Sequence, residues 1–444
     1  MGTREVVLDW QIGEEEDWGA STSLLPFFAD EQEPEPKPTI PPHRLRWNYV
    51  LGGLVALALL TMAAVGYGFW QRYQQALLRI RADIQGTVDL EAWAWRNGDD
   101  SLLASLIDTQ RDEAWAYRFR RMQEWMRRWA GDRLQMPIVE AQDVKLYDDL
   151  AMVVVLVTQP AFPWETAPYR ETRFYRLVNG RWLRTAPAPA LWGPLQTTET
   201  EHFRFEFHQR DAKAVIAAAP KVEALYGDLH RLVGLEETSS ERLVIKVVPR
   251  TDVISWRFLT NQLTVPSPVL LAVPQDMSEA EALIQAIAYP LTRRVVDQAA
   301  QQAQVKTQWQ PLVLGLRLWL SWDNSRLPSF WRFRLEESLR QRMAQAPAPR
   351  LADLIDSGQT WLYSNRWAST MAAVTVVDHM MTRYGRDRLS ALLRGLGRYE
   401  SWDELIPAVF GVPADAWEAS WQAYLKAQYG PPTTVRSGEQ RSYE

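Results

Sequence analysis

The sequence predicts an α+β protein in which a disordered tail and a single transmembrane helix precede two folded domains. Residues 47–71 contain no charged side chain. Residues 72–190 show helical spacing of apolar residues followed by strand-like alternation, the pattern typical of an α+β domain. Residues 196–430 are mostly helical in pattern, with a few strand-like segments that predict a small sheet near their start.

The N-terminal tail, residues 1–46, is acidic and rich in proline. It holds ten Asp and Glu against four Lys and Arg, a net charge of −6, whereas the rest of the chain has 44 and 45, a net of +1. This composition, without amphipathic spacing, predicts disorder; residues 431–444 are also expected to be disordered. The tail is expected to be a solvated spacer, and the alternative is that two apolar islands at residues 6–10 and 24–28 dock a partner.

The uncharged run at residues 47–71 predicts one membrane-spanning helix. About 20 apolar residues at ~1.5 Å each cover the ~30 Å hydrocarbon core. The run lies too far from the N-terminus for an ordinary cleaved signal peptide. A single-pass cell-membrane protein with the lipid bilayer as a partner is therefore expected, with a buried soluble helix as the alternative. Three Lys or Arg residues lie near each side of the run, so charge leaves the orientation open.

Composition excludes several classes of chemistry. The chain has no cysteine, which rules out disulfides, thiol nucleophiles and cysteine-ligated metals. A net charge of −5 without a long basic run argues against a nucleic-acid partner. The 22 tryptophans indicate large-residue core packing, with an aromatic-lined ligand groove as the alternative.

The first domain, residues 72–190, is predicted to place helices before an antiparallel sheet. Helices are expected at residues 74–96, 101–107 and 110–129, and strands at 138–146, 150–158, 169–178 and 182–185. Asn179-Gly180 predicts a hairpin between the last two strands. The pattern resembles NTF2-like domains, in which helices cover a curved sheet in a cone. This resemblance implies either a ligand pocket or a spacer domain, and proline-containing residues 187–195 are predicted to be a linker.

Residues 196–430 resemble the gluzincin, or peptidase MA-like, metallopeptidases. The likeness rests on strands at 200–207 and 243–248, a helix at 211–232, a long helix at 373–393 and the segments 401–405 and 410–412. A closing helix follows with Trp417, Trp421 and Tyr424. The resemblance implies an extracytoplasmic domain and therefore a cytoplasmic N-terminus.

The zinc motif of that family is missing from the expected positions. Zinc peptidases place His-Glu-x-x-His on one helix and a glutamate on a later helix. Here the first helix is expected at residues 279–298, and residues 282–296 contain no His, Glu or Asp. Pro290 is also expected to disturb this helix. The degenerate zinc-site region comprises Ala286, Ala288, Tyr289, Pro290 and Leu314. No metal, cofactor or catalytic residue is expected.

The five histidines, at positions 43, 202, 208, 230 and 379, predict no replacement metal site. His202 and His208 are expected on one strand, about 20 Å apart. Asp378-His379 and Ser369-Thr370 would suit a hydrolase triad, but a helical location without a shared site is the preferred interpretation.

A cleft without zinc could still bind an extended peptide by strand addition. The resemblance places the edge strand of such a cleft at Val265, Ser267, Val269 and Leu271. Together these features predict a membrane-anchored, non-catalytic pseudopeptidase that binds or scaffolds an extracytoplasmic peptide, protein or envelope component. The alternatives are a zinc metallopeptidase with displaced ligands and a purely structural scaffold.

Overall fold

The computed structural model describes residues 43–162, 165, 168–235, 242–251, 255–257, 261–325, 330–355 and 366–430. Residues 1–42 of the predicted tail and the whole predicted C-terminal tail lie outside the described residues. The chain forms two compact units, residues 1–73 and 74–444. The second unit mixes helices and sheets, as the α+β prediction requires.

The described part of the first unit is helical. Helix α1 runs from His43 to Asn97, so it begins within the predicted tail and continues past the predicted span. It is the one helix of the described chain that is long and apolar enough to cross a membrane. None of its most apolar window is buried, and side chains such as Leu60 and Phe69 are exposed. Such a continuous exposed apolar surface suits hydrocarbon better than water.

The N-terminal lobe, defined as residues 74–192, places three helices against an antiparallel sheet. The end of α1 is followed by α2 (Asp100–Ser105) and α3 (Glu113–Ala130), which Asp99 and Asp112 cap at their N-termini. The strands are β1 (Ile138–Tyr147), β2 (Leu150–Gln159), β3 (Tyr169–Val178) and β4 (Arg181–Arg184), paired in chain order. Ile84 and Val88 of α1 are fully buried against this sheet. The predicted helices and strands are thus present within a few residues.

The hairpin between β3 and β4 forms where the sequence predicts it. Asn179 and Gly180 have φ values of 50° and 77°. A two-residue turn with positive φ at both positions matches the twist of the flanking strands, and Asn-Gly adopts it at low cost.

The C-terminal lobe, defined as residues 195–430, begins with a mixed sheet. Its strands are β5 (Leu195–Glu199), β6 (Phe203–His208), β7 (Leu243–Val248), β8 (Ser255–Arg257) and β9 (Gln262–Pro266). The spatial order is β5-β6-β7-β9-β8, with the three central strands parallel and each outer strand antiparallel. Helix α4 (Ala212–Val233) connects β6 to β7 and buries one face in the largest core cluster.

Seven helices complete the described part of this lobe: α5 (Glu279–Gln302), α6 (Gln310–Asp323), α7 (Phe330–Gln345), α8 (Arg366–Tyr384), α9 (Leu389–Arg398), α10 (Trp402–Phe410) and α11 (Ala414–Tyr429). The prediction of a single helix at residues 373–393 is wrong, because α8 and α9 are separate helices. Gly385 has a φ of 88° and ends the right-handed helix. Helix α5 nevertheless continues through Pro290, since its contacts with α4 and α6 offset the lost backbone donor.

The two lobes share buried contacts. Strand β10 (Val273–Pro274), from the C-terminal lobe, pairs with β3. Trp192 is fully buried within the predicted linker, and its indole Nε1 donates to Ser267 Oγ at 3.0 Å. Ser267 Oγ in turn donates to Asp211 Oδ1 at 2.6 Å. The segment predicted to be a linker is therefore part of a packed junction.

We predict that Gly315→Ala destabilises the C-terminal lobe by roughly 1–3 kcal/mol because overpacking forces helices apart. A Cβ on Gly315 of α6 would lie 2.6 Å from the carbonyl carbon of Ala373 on α8. Chemical denaturation of the full chain in nanodiscs measures this change. Gly227→Ala is the control, since a Cβ at this α4 position meets no atom within 4 Å and should raise stability by about 0.5–1 kcal/mol. Equal effects of both substitutions would contradict the close α6–α8 packing.

A cavity with a charged end in the N-terminal lobe

The clearest ligand-sized site in the described chain is a cavity of about 300 Å³ between the helices and sheet of the N-terminal lobe. Its walls are largely apolar and aromatic: Trp95 of α1 meets Phe162 edge-on at 4.8 Å, and Trp115 stacks on Phe119 of α3 at 5.0 Å. Leu270 and Ala272 of the C-terminal lobe also line it. Concave sites with such walls and a few polar groups are typical of small-molecule binding.

A network of buried and partly buried charges also lines the cavity. Glu91 lies on α1, Glu171 and Arg173 on β3, and Arg184 on β4. Arg173 Nε donates to Glu171 Oε1 at 2.5 Å, and its Nη1 reaches Glu91 Oε2 at 3.4 Å. Arg184 Nη1 lies 3.5 Å from the same Glu91 oxygen. Four charged side chains from three elements therefore compensate one another away from bulk water.

Glu91 retains one unsatisfied oxygen in this network. Arg173, Arg184 and the Tyr175 hydroxyl all contact Oε2, whereas Oε1 is buried and has no hydrogen-bond partner in the described structure. Burial raises the pKa of Glu91 above its ordinary value, although both guanidiniums oppose this shift. A buried acceptor without a donor is unfavourable, so this oxygen adds to the cost of burying the charges.

A third carboxyl group, that of Glu165, is close to the charge network. Glu165 lines the cavity, and its Oε2 accepts from the backbone N–H of Phe162 at 3.4 Å. Burial and repulsion from Glu171 raise the pKa of Glu165 to about 7. The charged residues among the described lining are thus three carboxyl groups and two guanidiniums. One of the carboxyl groups, that of Glu165, is partly protonated at neutral pH.

This network was missed by sequence reasoning, although β3 carries a usable signal. Tyr169, Glu171, Arg173 and Tyr175 alternate along β3 and therefore share one face of the strand. Tyr169 and Tyr175 belong to the core of the lobe, so the charged residues between them also face inward. Charges on the core face of a strand require partners, but Glu91 is separated from Arg173 by 82 residues and no local pattern links them.

The degenerate zinc-site region lies in the core of the C-terminal lobe. Ala286, Ala288 and Pro290 are buried on α5, and Tyr289 is exposed. Leu314 of α6 packs against the main core cluster. These side chains offer apolar packing in place of ligand atoms, apart from the Tyr289 hydroxyl. Their descent from a zinc site stays a prediction.

Of the four residues predicted to form a peptide-binding edge, Val265 lies in a strand, just beyond the part of that strand that pairs with β8. Val265 belongs to β9, which pairs with β7 on one side and, from Gln262 to Thr264, with β8 on the other. Among the described strands, β8 is therefore the one at this edge of the sheet. Ser267 is fully buried, Val269 packs against a cluster that joins the two lobes, and Leu271 packs against a small cluster within the C-terminal lobe. Ser267 and Val269 therefore contribute to the junction between the lobes, whereas Val265 belongs to the main core of the C-terminal lobe.

His202 takes part in a cluster that the sequence did not predict. It precedes β6, whereas His208 ends that strand, so the two histidines are not on one strand as expected. Ligand atoms of Glu201, His202 and Glu223 lie within 4.8 Å of one another. His202 Nδ1 already contacts Glu223 Oε1, and the backbone N–H of His202 donates to Glu223 Oε2 at 3.2 Å. These contacts give the cluster a structural role without an ion.

The predicted triad candidates do not form a triad in the described structure. His379 Nε2 meets Ser420 Oγ of α11 at 3.3 Å, and Arg383 donates to the same hydroxyl at 2.8 Å. Asp378 instead accepts from Trp319 Nε1 and from the Tyr424 hydroxyl. The aspartate therefore does not orient the imidazole, as a triad requires.

Comparisons with known proteins identify no family for this chain. A scan against protein-family models found no match, and a search of curated proteins found no matching relative. Function must therefore be inferred from the side chains of this chain and their geometry.

We predict that Glu165 makes the protein less stable as the pH rises through neutrality. Its folded pKa of about 7 exceeds its ordinary value of 4.5, so the folded state binds the proton more tightly. That contribution is complete below the ordinary pKa and is lost as the pH rises through about 7. The free energy of unfolding of the wild type should fall by about 3 kcal/mol more than that of Glu165→Gln between acidic and mildly alkaline pH. Parallel pH profiles of the two proteins would contradict the raised pKa.

Proposed function

We propose that this chain is a membrane-anchored, non-catalytic binding protein and that the cavity of the N-terminal lobe holds its ligand. The observation that supports this most strongly is the combination, in one cavity lining, of aromatic side chains with the charged groups of Glu91, Glu171, Arg173 and Arg184. A cavity formed only by imperfect packing would be expected to be apolar throughout. Anchoring is supported by the unburied apolar stretch of α1.

The class of ligand can be inferred from the side chains that line the cavity. Aromatic side chains favour an apolar or aromatic body, while the carboxyl groups in the lining favour a head group with an O–H or N–H donor. Three carboxyls against two guanidiniums favour a neutral or cationic head group over an anionic one. The proposed ligand is therefore a small amphiphile with a hydroxyl or amine head.

The absence of catalysis is proposed from the apolar residues at the expected zinc positions, of which Ala286, Ala288 and Pro290 are buried. The pseudopeptidase lobe would then be a binding or scaffolding element. An extracytoplasmic location for both lobes, and a cytoplasmic partner for the acidic tail, remain proposals from the resemblance.

One observation favours a second function, a metallopeptidase with displaced ligands. Glu201, His202 and Glu223 supply one nitrogen and two carboxylate ligands close together. However, the His202–Glu223 contact would have to break before an ion could bind. The cavity is therefore the better-supported site.

We predict that phenylbutylamine and phenylbutanol bind the full chain in nanodiscs, and that phenylbutyrate binds at least about tenfold more weakly. The shared phenylbutyl body isolates the head group, and tenfold corresponds to ~1.4 kcal/mol. Isothermal titration measures all three affinities. Glu91→Gln should weaken amine binding by about tenfold, because it removes the acceptor charge while preserving the side-chain shape. Glu140→Gln on β1 is the matched control, since Glu140 is exposed outside the cavity lining.

Two further outcomes separate the parts of this proposal. Ala92→Leu places a larger side chain in the cavity wall and should abolish binding of all three compounds. Equal affinities for the amine and the carboxylate would contradict the proposed head group alone. If the wild type binds none of the compounds, or the leucine variant binds them equally well, the cavity is not the ligand site.

We predict that the full chain purified after expression with added zinc contains far less than one zinc ion per chain. Elemental analysis provides the ratio, and His202→Ala tests the cluster directly. One zinc per wild-type chain that disappears in His202→Ala would support the displaced-ligand metallopeptidase instead.

A further inference from the structure

Helix α3 has a second face, which is exposed and carries arginines beside its tryptophans. Trp115, Phe119 and Met126 point into the cavity, whereas Arg121, Trp125, Arg128 and Trp129 are exposed. Met122 belongs to both faces, because it lines the cavity and is 48% exposed. The outer face therefore adjoins the cavity at Met122.

Helix α7 extends this surface with a further exposed tryptophan. The rings of Trp125 and Trp331 lie 6.1 Å apart, and Trp331 stacks on Trp367 of α8 at 5.1 Å. The guanidinium carbon of Arg334 lies 4.2 Å above the Trp129 ring. Exposures of 39% for Trp125, 40% for Trp129 and 50% for Trp331 leave much of these rings in contact with solvent. The aromatic–arginine face comprises Arg121, Met122, Trp125, Arg128, Trp129 and Trp331.

Both helices that form this face are basic although the chain as a whole is acidic. Helix α3 holds five Arg and two Glu, a net charge of +3, and α7 holds four Arg and two Glu, a net of +2. The net charge of the whole chain is −5. The two helices that carry the exposed tryptophans are therefore both basic, although Glu124 also lies on this surface and pairs with Arg121 at 3.7 Å.

We propose that the aromatic–arginine face docks on an anionic phospholipid surface. Amphipathic tryptophan rings favour the boundary between lipid head groups and acyl chains, and arginines are attracted to anionic head groups. The proposal rests on the membrane anchoring proposed above, because tethering makes even a weak attraction effective. A second copy of the chain is a poor occupant, since two like-charged faces would repel each other.

Docking would also place the cavity close to lipid. Met122 would lie at the lipid surface while still lining the cavity, so a small amphiphile could pass between the two along a short apolar path. This consequence links the face to the ligand class inferred for the cavity, but docking itself does not depend on any ligand.

The test uses the full chain, which has no cysteine and can therefore carry one unique label. Ala114 is exposed on α3, and Ala114→Cys accepts an environment-sensitive fluorophore near the face. The labelled protein is reconstituted in nanodiscs of phosphatidylcholine alone or with phosphatidylglycerol. We expect a blue shift of the label emission only with phosphatidylglycerol, reversed by high salt because salt screens surface charge.

Three controls make the outcome decisive. Ala217→Cys labels an exposed alanine of α4 and should show no lipid-dependent shift. Arg121→Gln with Arg128→Gln should remove most of the shift at position 114. Arg231→Gln with Arg388→Gln changes the net charge equally at exposed positions outside α3 and α7, and should leave the shift intact.

The same emission at position 114 in both kinds of nanodisc would overturn the proposal, as would a shift that persists in the Arg121 and Arg128 double variant. A shift that depends on protein density and not on lipid charge would assign the face to self-association instead. Failure of the chain to enter nanodiscs at all would contradict membrane anchoring, an outcome distinct from an undocked face.

Discussion

The contact of Glu91 with Arg173 and Arg184 is the interaction on which the N-terminal lobe depends. It joins α1 to β3 and β4 through charges removed from bulk water. Loss of one partner from such a buried network typically costs about 3–5 kcal/mol, because the remaining charge stays desolvated. The network therefore joins the helix to the sheet and also places charged side chains in the cavity lining.

The two lobes make different contributions to the proposed function. The N-terminal lobe supplies the cavity, and the C-terminal lobe supplies part of its lining through Leu270 and Ala272. The junction of Trp192, Ser267 and Asp211 holds these residues in place through buried hydrogen bonds. The segment compared with a peptidase cleft thus contributes to the lining of the cavity in the neighbouring lobe.

Local patterns predicted most elements, and non-local contacts account for the errors. Strand β7 lies at Leu243–Val248 as predicted, because short alternating apolar segments are read directly from the sequence. The prediction of one helix through Gly385 was wrong, because the spacing of apolar residues does not reveal a positive φ. The order of β9 and β8, the clustering of Glu201, His202 and Glu223, and the Glu91 network all depend on residues distant in sequence. No periodicity encodes those contacts.

The most direct test of the cavity as a ligand site is mass spectrometry of small molecules that copurify with the full chain. The wild type and the Ala92→Leu variant should be extracted from the same membranes and compared. Enrichment in the wild type of one amphiphile with a hydroxyl or amine head is the result we expect. Identical extracts from the two proteins, or enrichment of an anionic amphiphile, would contradict the proposal that the cavity binds such a ligand.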